Sequence, residues 1–332
     1  MKIDCFTHVM PPRFYTALKQ KMTGPDYLGG LLESMPQLAD LPARLDVMDR
    51  HGVDAQVITL SSPPIEIAMG DPATAADLAC LANDEITAMA AQHPGRFITV
   101  GTVAMNDPAH MAREAERCLT ELGMKGVLIY SSAAGVPLDQ PAFRDFFAVM
   151  AQRDYPVWLH PARGGNQPDY RGEDHSKYWI WQVFGWPYET TAAMTRLVFD
   201  GLFDRHPDIK IITHHAGAMA PAFSARIDAI YGKPNMPEIR AAAEKLARPA
   251  NEYFRLFYGD TALMGAVGGL AAAYEFLGPE RLLFGTDAPF DGTGGEDFTR
   301  DTLLSIAALA VPPAQKQAML SGNARRLMKL DD

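Results

Sequence analysis

Lys210-Ile211-Ile212-Thr213-His214-His215-Ala216-Gly217 is a short β-branched run that ends on two imidazoles and a small-residue turn. It starts just after His206-Pro207, a helix-stop signal, and a stretch with helical spacing follows it over residues 220–231. The same phrase recurs along the chain. Compact apolar runs of strand length lie at 3–9, 55–60, 97–103, 126–131, 157–160, 210–215, 255–259 and 281–285. Each reads as a strand buried on both faces, the kind found in parallel sheets.

Helical patterns fill the gaps at 42–50, 73–92, 109–121, 140–153, 188–205, 220–231, 263–277, 298–310 and 313–330. Asp71-Pro72 and Asp107-Pro108 each set a capping carboxylate before a proline at the first helical position. Eight strand–helix alternations predict one α/β domain over residues 1–332, a (β/α)8 TIM barrel, rather than two smaller domains. Its 332 residues exceed the usual barrel of about 250. The excess falls in two segments that follow strands one and five. Residues 11–37, with Gly24, Pro25, Gly29 and Gly30, read as a long loop with at most one short helix. Residues 161–187 carry Arg163, Tyr178, Trp179, Trp181, Phe184 and Trp186. Both are expected to act as lid-like loops at the face where barrel chemistry occurs.

Composition removes other function classes. Thirty basic against forty acidic residues give a net charge of −10, and no basic run exists to track a phosphate backbone. Nucleic acid is therefore not an expected partner. No stretch approaches the ~18 apolar residues of a membrane span, and the N-terminus lacks a signal-peptide core, so a cytoplasmic location is expected. Three cysteines, Cys5, Cys80 and Cys118, do not make a disulfide framework. Serine-hydrolase elbows and phosphate-binding loops are absent from the sequence.

Chemistry in such a barrel sits at the C-terminal ends of the strands. His8 closes the first strand, His160 the fifth, His214 and His215 the sixth, and Asp287 the eighth. Neutral imidazoles with a carboxylate are a common ligand set for Zn, Mn or Fe, with positions left open for substrate. A set of unrelated histidines, each satisfied locally, is the competing reading. Four strand ends sharing it make it the weaker one.

These residues also carry a resemblance. Ile3-Asp4 through His8, RLDVMDRHGV (44–53), the segment 184–228 (FGWPYETTAAMTRLVFDGLFDRHPDIKIITHHAGAMAPAFSARID), LFGTDAPF (283–290) and GNARRL (322–327) resemble the amidohydrolase superfamily. The similarity is to the branch of aminocarboxymuconate semialdehyde decarboxylase and the nonoxidative aromatic acid decarboxylases. It implies that His8, His160 and Asp287 bind a divalent metal (Zn or Mn), and that His215 positions or deprotonates a metal-bound water or the substrate. It also implies a homodimer. His214, next to His215, is expected on the opposite strand face, packed between sheet and helices.

The family usually opens with His-x-His, some decarboxylases with Glu-x-His, whereas this chain has Phe6-Thr7-His8. Phenylalanine binds no metal. Two outcomes stay open: His8, His160 and Asp287 still hold an ion, or the same residues work as an acid/base cluster without one. Phe6 is a candidate substrate contact, or else core filling at the barrel top. The expected reaction is decarboxylation of an aromatic or enol-type carboxylic acid, with Asp287 or His215 delivering a proton. Arg163 is a candidate carboxylate clamp, or else a solvated loop arginine. Trp181 and Phe290, with Trp179, Phe184 and Trp186, are candidate substrate walls or a subunit contact. The alternatives are hydrolysis of a C–C, lactone or amide bond by activated water, and a degenerate barrel that binds without turnover.

Overall fold

The structure, a computed structural model, describes residues 1–22 and 29–330. Six of the strand runs form parallel ladders close to their expected places. They are β1 (Ile3–Val9), β2 (Ala55–Leu60), β3 (Phe97–Thr99 continued by Gly101–Thr102), β4 (Val127–Tyr130), β5 (Val157–His160) and β6 (Ile211–Thr213). A seventh, β7 (Tyr258–Gly259), is short because residues Phe254–Leu256 before it coil into a 3-10 turn. β1, β2 and the first half of β3 form one sheet, and the second half of β3 begins another that runs through β4, β5 and β6 to β7.

The eighth run makes no regular ladder. It closes the barrel by individual backbone bonds instead: Leu283 N–H donates to Gly259 O at 2.9 Å, and Cys5 N–H to Phe284 O at 2.7 Å. Further along, Asp287 N–H donates to Phe6 O at 3.0 Å and His8 N–H to Ala288 O at 2.9 Å. Gly285 suits this tight seam. A Cβ there would lie 3.0 Å from that of Asp260 and 3.1 Å from that of Phe6.

The helices follow their capping signals. Asp71 accepts from Thr74 N–H at the head of Pro72–Ala91, and Asp107 from His110 N–H at the head of Pro108–Thr120. Phe14, Leu18 and the residues lining the strands join one continuous apolar core. Among the described residues, no helix is long and apolar enough to cross a membrane.

One expectation about the loops needs correction. Residues 11–37 carry a ten-residue helix, Pro12–Lys21, a short helix, Gly29–Glu33, and a 3-10 turn, Pro36–Leu38. Proline at the first helical position and Phe14 and Leu18, four apart and buried, explain the first helix. Gly24 and Pro25 lie outside the described residues.

Candidate active site

Strand register decides which side chains meet. His8 pairs with Thr59 across β1–β2, and Tyr130 with His160 across β4–β5, so both histidines stand at the same barrel end. His8, His160, His214 and Asp287 are all buried there, and His215 is half-buried beside them. The His8 and His160 rings lie 5.3 Å apart, as do those of His160 and His214. His8 Nε2 is 3.1 Å from Asp287 Oδ1, and His214 Nε2 is 3.3 Å from the same oxygen. Nitrogens of His8, His160 and His214 come close enough together to hold one ion.

The other ring nitrogens decide the protonation of this cluster. His160 Nδ1 is 2.7 Å from Pro161 O, which can only accept, so Nδ1 carries the hydrogen. Thr59 Oγ1 gives its single hydrogen to Thr7 O at 2.9 Å, and therefore accepts from His8 Nδ1 at 3.0 Å. His214 Nδ1 donates to the buried carboxylate of Asp260. In the neutral rings all three Nε2 atoms then present lone pairs, and His214 Nε2 has no hydrogen-bond partner. The three Nε2 atoms lie within reach of a single ion, and Asp287 stands beside two of them. Imidazoles fixed through the far nitrogen by a carboxylate, carbonyl or hydroxyl are the usual arrangement around a bound metal.

Electrostatics agree with this geometry. Burial pushes His8 down, though Asp287 opposes it, and holds His160 well below its ordinary value with help from the neighbouring His214 and His8. Burial and the adjacent His214 push His215 down to about 3. His214 goes the other way. Burial opposes its charge, but Asp260 and Asp287 outweigh that and raise it to about 10, so a proton occupies the cluster when no metal does. Asp287 is desolvated, yet His214 and His8 hold its carboxyl well below the usual range.

His214 thus faces the cluster and not the sheet–helix interface expected for it. The strand ladder stops at Thr213, and His215 and Ala216 turn left-handed (φ +57° and +56°), so two-residue alternation no longer applies. Its ring stacks on Phe6 at 4.0 Å between centroids, and Phe6, fully buried and absent from the cavity lining, is therefore not the substrate contact expected of it. Asp260 was missed altogether, although Tyr258-Gly259-Asp260 repeats the strand-then-polar signal that marked the other ends. Besides His214, it accepts from Ala216 N–H and Ala262 N–H, both at 3.0 Å.

A narrow cavity opens onto the cluster, lined by Ser62, His160, Trp179, Gln182, Trp186, Asp287 and Phe290. Phe290 stands where expected for a wall, its ring 5.4 Å from that of His8. Trp181 is buried behind the wall, packing against Trp179 at 5.3 Å and Trp186 at 5.4 Å. Arg163 does not reach the cavity. Its Nη2 donates to Pro168 O at 2.9 Å within its own loop, and Trp186 Nε1 donates to its carbonyl at 2.8 Å. A clamp at Arg163 is therefore not what this conformation offers. Phe184 is exposed and away from the cavity lining.

The amidohydrolase family matches residues 3–330. Gamma-resorcylate decarboxylase of Rhizobium radiobacter is 30% identical over 312 residues, 92% of this chain and 91% of its own. The 2-amino-3-carboxymuconate-6-semialdehyde decarboxylase of Dictyostelium discoideum is 28% identical over 352 residues, 100% of this chain and 92% of its own. Among solved structures, a dihydroxybenzoic acid decarboxylase from Polaromonas sp., with bound manganese and the inhibitor 2-nitroresorcinol, superposes with a TM-score of 0.80 at 28% identity. That likeness covers 100% of this chain and 97% of the other. Barrel, rim cluster and full-length likeness converge: the chain belongs to the amidohydrolase family, in the branch similar to aminocarboxymuconate semialdehyde decarboxylase.

Proposed function

We propose that this protein is a carboxy-lyase, a nonoxidative decarboxylase of hydroxylated aromatic acids that works with one divalent cation, Mn or Zn. The carrying observation is that His8, His160 and His214 turn their Nε2 atoms toward one point within reach of a single ion, with Asp287 beside two of them, and the proton His214 holds in the metal-free cluster is the one an ion would replace. These four residues would hold the ion, with His214 supplying the imidazole that Phe6 does not. The manganese of the Polaromonas relative supports the reading. When bound, the ion supplies Lewis-acid polarisation of the substrate's carboxylate and adjacent oxygen.

The chain's own residues do the rest. Trp179, Trp186 and Phe290 would flank a flat ring once the cavity, about 20 Å³ in this conformation, widens to admit it, and Ser62 and Gln182 would offer neutral hydrogen bonds to its substituents. Of the two candidate proton donors, Asp287 lines the cavity and His215 does not. Asp287 therefore passes the proton to the ring carbon as the carboxylate leaves as CO2. Its depressed pKa makes it a relay, and the proton arrives with the substrate's hydroxyl or from water. His215 packs on His214, ring centroids 3.8 Å apart, and holds it in place.

The test is turnover of 2,6-dihydroxybenzoate by Mn-loaded protein, with CO2 and the dihydroxybenzene quantified. One CO2 per ring product, abolished by chelation and restored by Mn, is expected. Two carbon-containing fragments with water consumed, or turnover indifferent to chelation, would overturn the reading.

A further inference from the structure

Away from the barrel mouth, the helices Pro72–Ala91 and Pro108–Thr120 bring a second donor cluster together on the outer wall. His110 and Glu114 stand four residues apart on one helix face, the spacing that lets two side chains share a ligand. Cys80 reaches them from the neighbouring helix. Its Sγ is 3.7 Å from His110 Nε2 and 3.2 Å from Glu114 Oε2. Donor atoms of the three come close enough to hold one ion.

We propose that Cys80, His110 and Glu114 form a second metal site, for Zn or a similarly thiophilic divalent cation, that ties these two helices together.

The distances suit such an ion. A tetrahedral zinc with S and N/O ligands at about 2.3 and 2.0–2.1 Å has donor–donor edges of about 3.5 Å. The observed separations fall on either side of that value, before any ion has drawn the donors together. Cys80 and His110 are each half-buried, which leaves a fourth position open to water.

The surroundings are prepared as well. Arg117 grips Glu114 with Nε to Oε2 at 2.9 Å and Nη2 to Oε1 at 2.8 Å, and Asn83 Nδ2 donates to Oε1 at 2.7 Å. The carboxylate is thereby fixed in orientation. Arg117 is itself balanced by Asp84 at 2.8 Å. A divalent cation would then be neutralised by one thiolate and one carboxylate, with no charge left over. His110 turns Nε2 toward Cys80 Sγ, and its Nδ1 is buried without a hydrogen-bond partner among the described residues. With no cation, the thiol keeps its proton and donates it to Glu114; burial and that carboxylate push it up to about 12. The ion would replace that proton.

Co2+ is the probe, because sulfur-to-cobalt charge-transfer absorption reports a thiolate ligand and the barrel-mouth donors contain no sulfur. The full-length protein is first saturated with Mn2+ and then titrated with Co2+. A saturable charge-transfer band is expected, reached beyond one equivalent to the extent that Co2+ also displaces Mn2+ at the barrel mouth, abolished in Cys80→Ser and kept in Cys118→Ser. His110→Ala should weaken Co2+ binding at this site by at least about tenfold. Absence of the band in the unmodified protein, its survival in Cys80→Ser, or its loss in Cys118→Ser instead would each overturn the proposal.

Discussion

Replacing Asp260 by asparagine separates the role of His214 from the integrity of the fold. Asp260 Oδ1 accepts two backbone hydrogens, Ala216 N–H and Ala262 N–H, and Oδ2 takes the hydrogen of His214 Nδ1. In Asp260→Asn the amide oxygen keeps the two backbone donors, which forces the amide nitrogen toward His214. That nitrogen donates, so Nδ1 must accept, and the ring hydrogen moves to Nε2, where Asp287 Oδ1 lies 3.3 Å away to receive it. One of four ligands is then masked by a proton without any atom leaving its place.

Loss of an outer partner to a metal-bound histidine typically lowers affinity 10–100-fold. Because the tautomer is inverted here, the upper end applies: about 100-fold, or ~2.7 kcal/mol. Stability should change by less than about 2 kcal/mol, since both backbone bonds persist. Asp260→Ala differs, because it strands two buried N–H groups at about 1–3 kcal/mol each. Calorimetric titration of metal-free protein with Mn2+, paired with urea unfolding, reads both quantities. A folded Asp260→Asn that binds Mn2+ within threefold of the parent protein would refute the assignment of His214 as a ligand.

Other consequences follow from single side chains. Phe6 is fully buried against His214, so Phe6→Ala should cost about 3–5 kcal/mol in urea unfolding and Phe6→Leu much less. Glu66 is buried with its carboxyl pushed up to about 7 by desolvation. The native state therefore holds its proton longer than the unfolded chain, and this group costs stability progressively as pH rises from about 4.5 through 7. Glu66→Gln should remove that slope, gaining up to ~3 kcal/mol on the parent at pH 8 and nearly nothing at pH 4, read by unfolding at both. Trp186→Ala opens the wall beside His160 and should lower kcat/KM for an aromatic acid at least about tenfold, while Trp186→Phe retains most of it.

Much of the site could be read from sequence because barrel topology converts one local signal into a shared location. A short apolar run ending in a polar residue places that residue on the rim whichever strand carries it, which is why His8, His160 and Asp287 meet. The reading weakened wherever regular pairing stopped early. Alternation extended through His215 points His214 outward, but the ladder ends at Thr213 and the left-handed turn brings His214 inward. Asp260 follows a strand only two residues long, and loop orientation, which decides Arg163, leaves no periodic trace.

Phe6 shows how the same physics can hide a function inside a packing residue. At the position where relatives are expected to place a ligand, an apolar ring lies nearly parallel to His214, 14° between planes. It contributes no lone pair, yet it fills the space into which His214 would otherwise rotate. With Asp260 holding Nδ1 and Phe6 covering the ring face, the remaining nitrogen is confined to one direction, toward Asp287. On the proposed ligand set, an imidazole from β6 would offset the ligand missing from β1, and Phe6 would help to aim it. Phe6→Leu, which keeps the site apolar and much of its volume but loses the flat face, should therefore weaken Mn2+ binding more than it weakens the fold. Equal and small effects on both would mean that Phe6 is core filling alone.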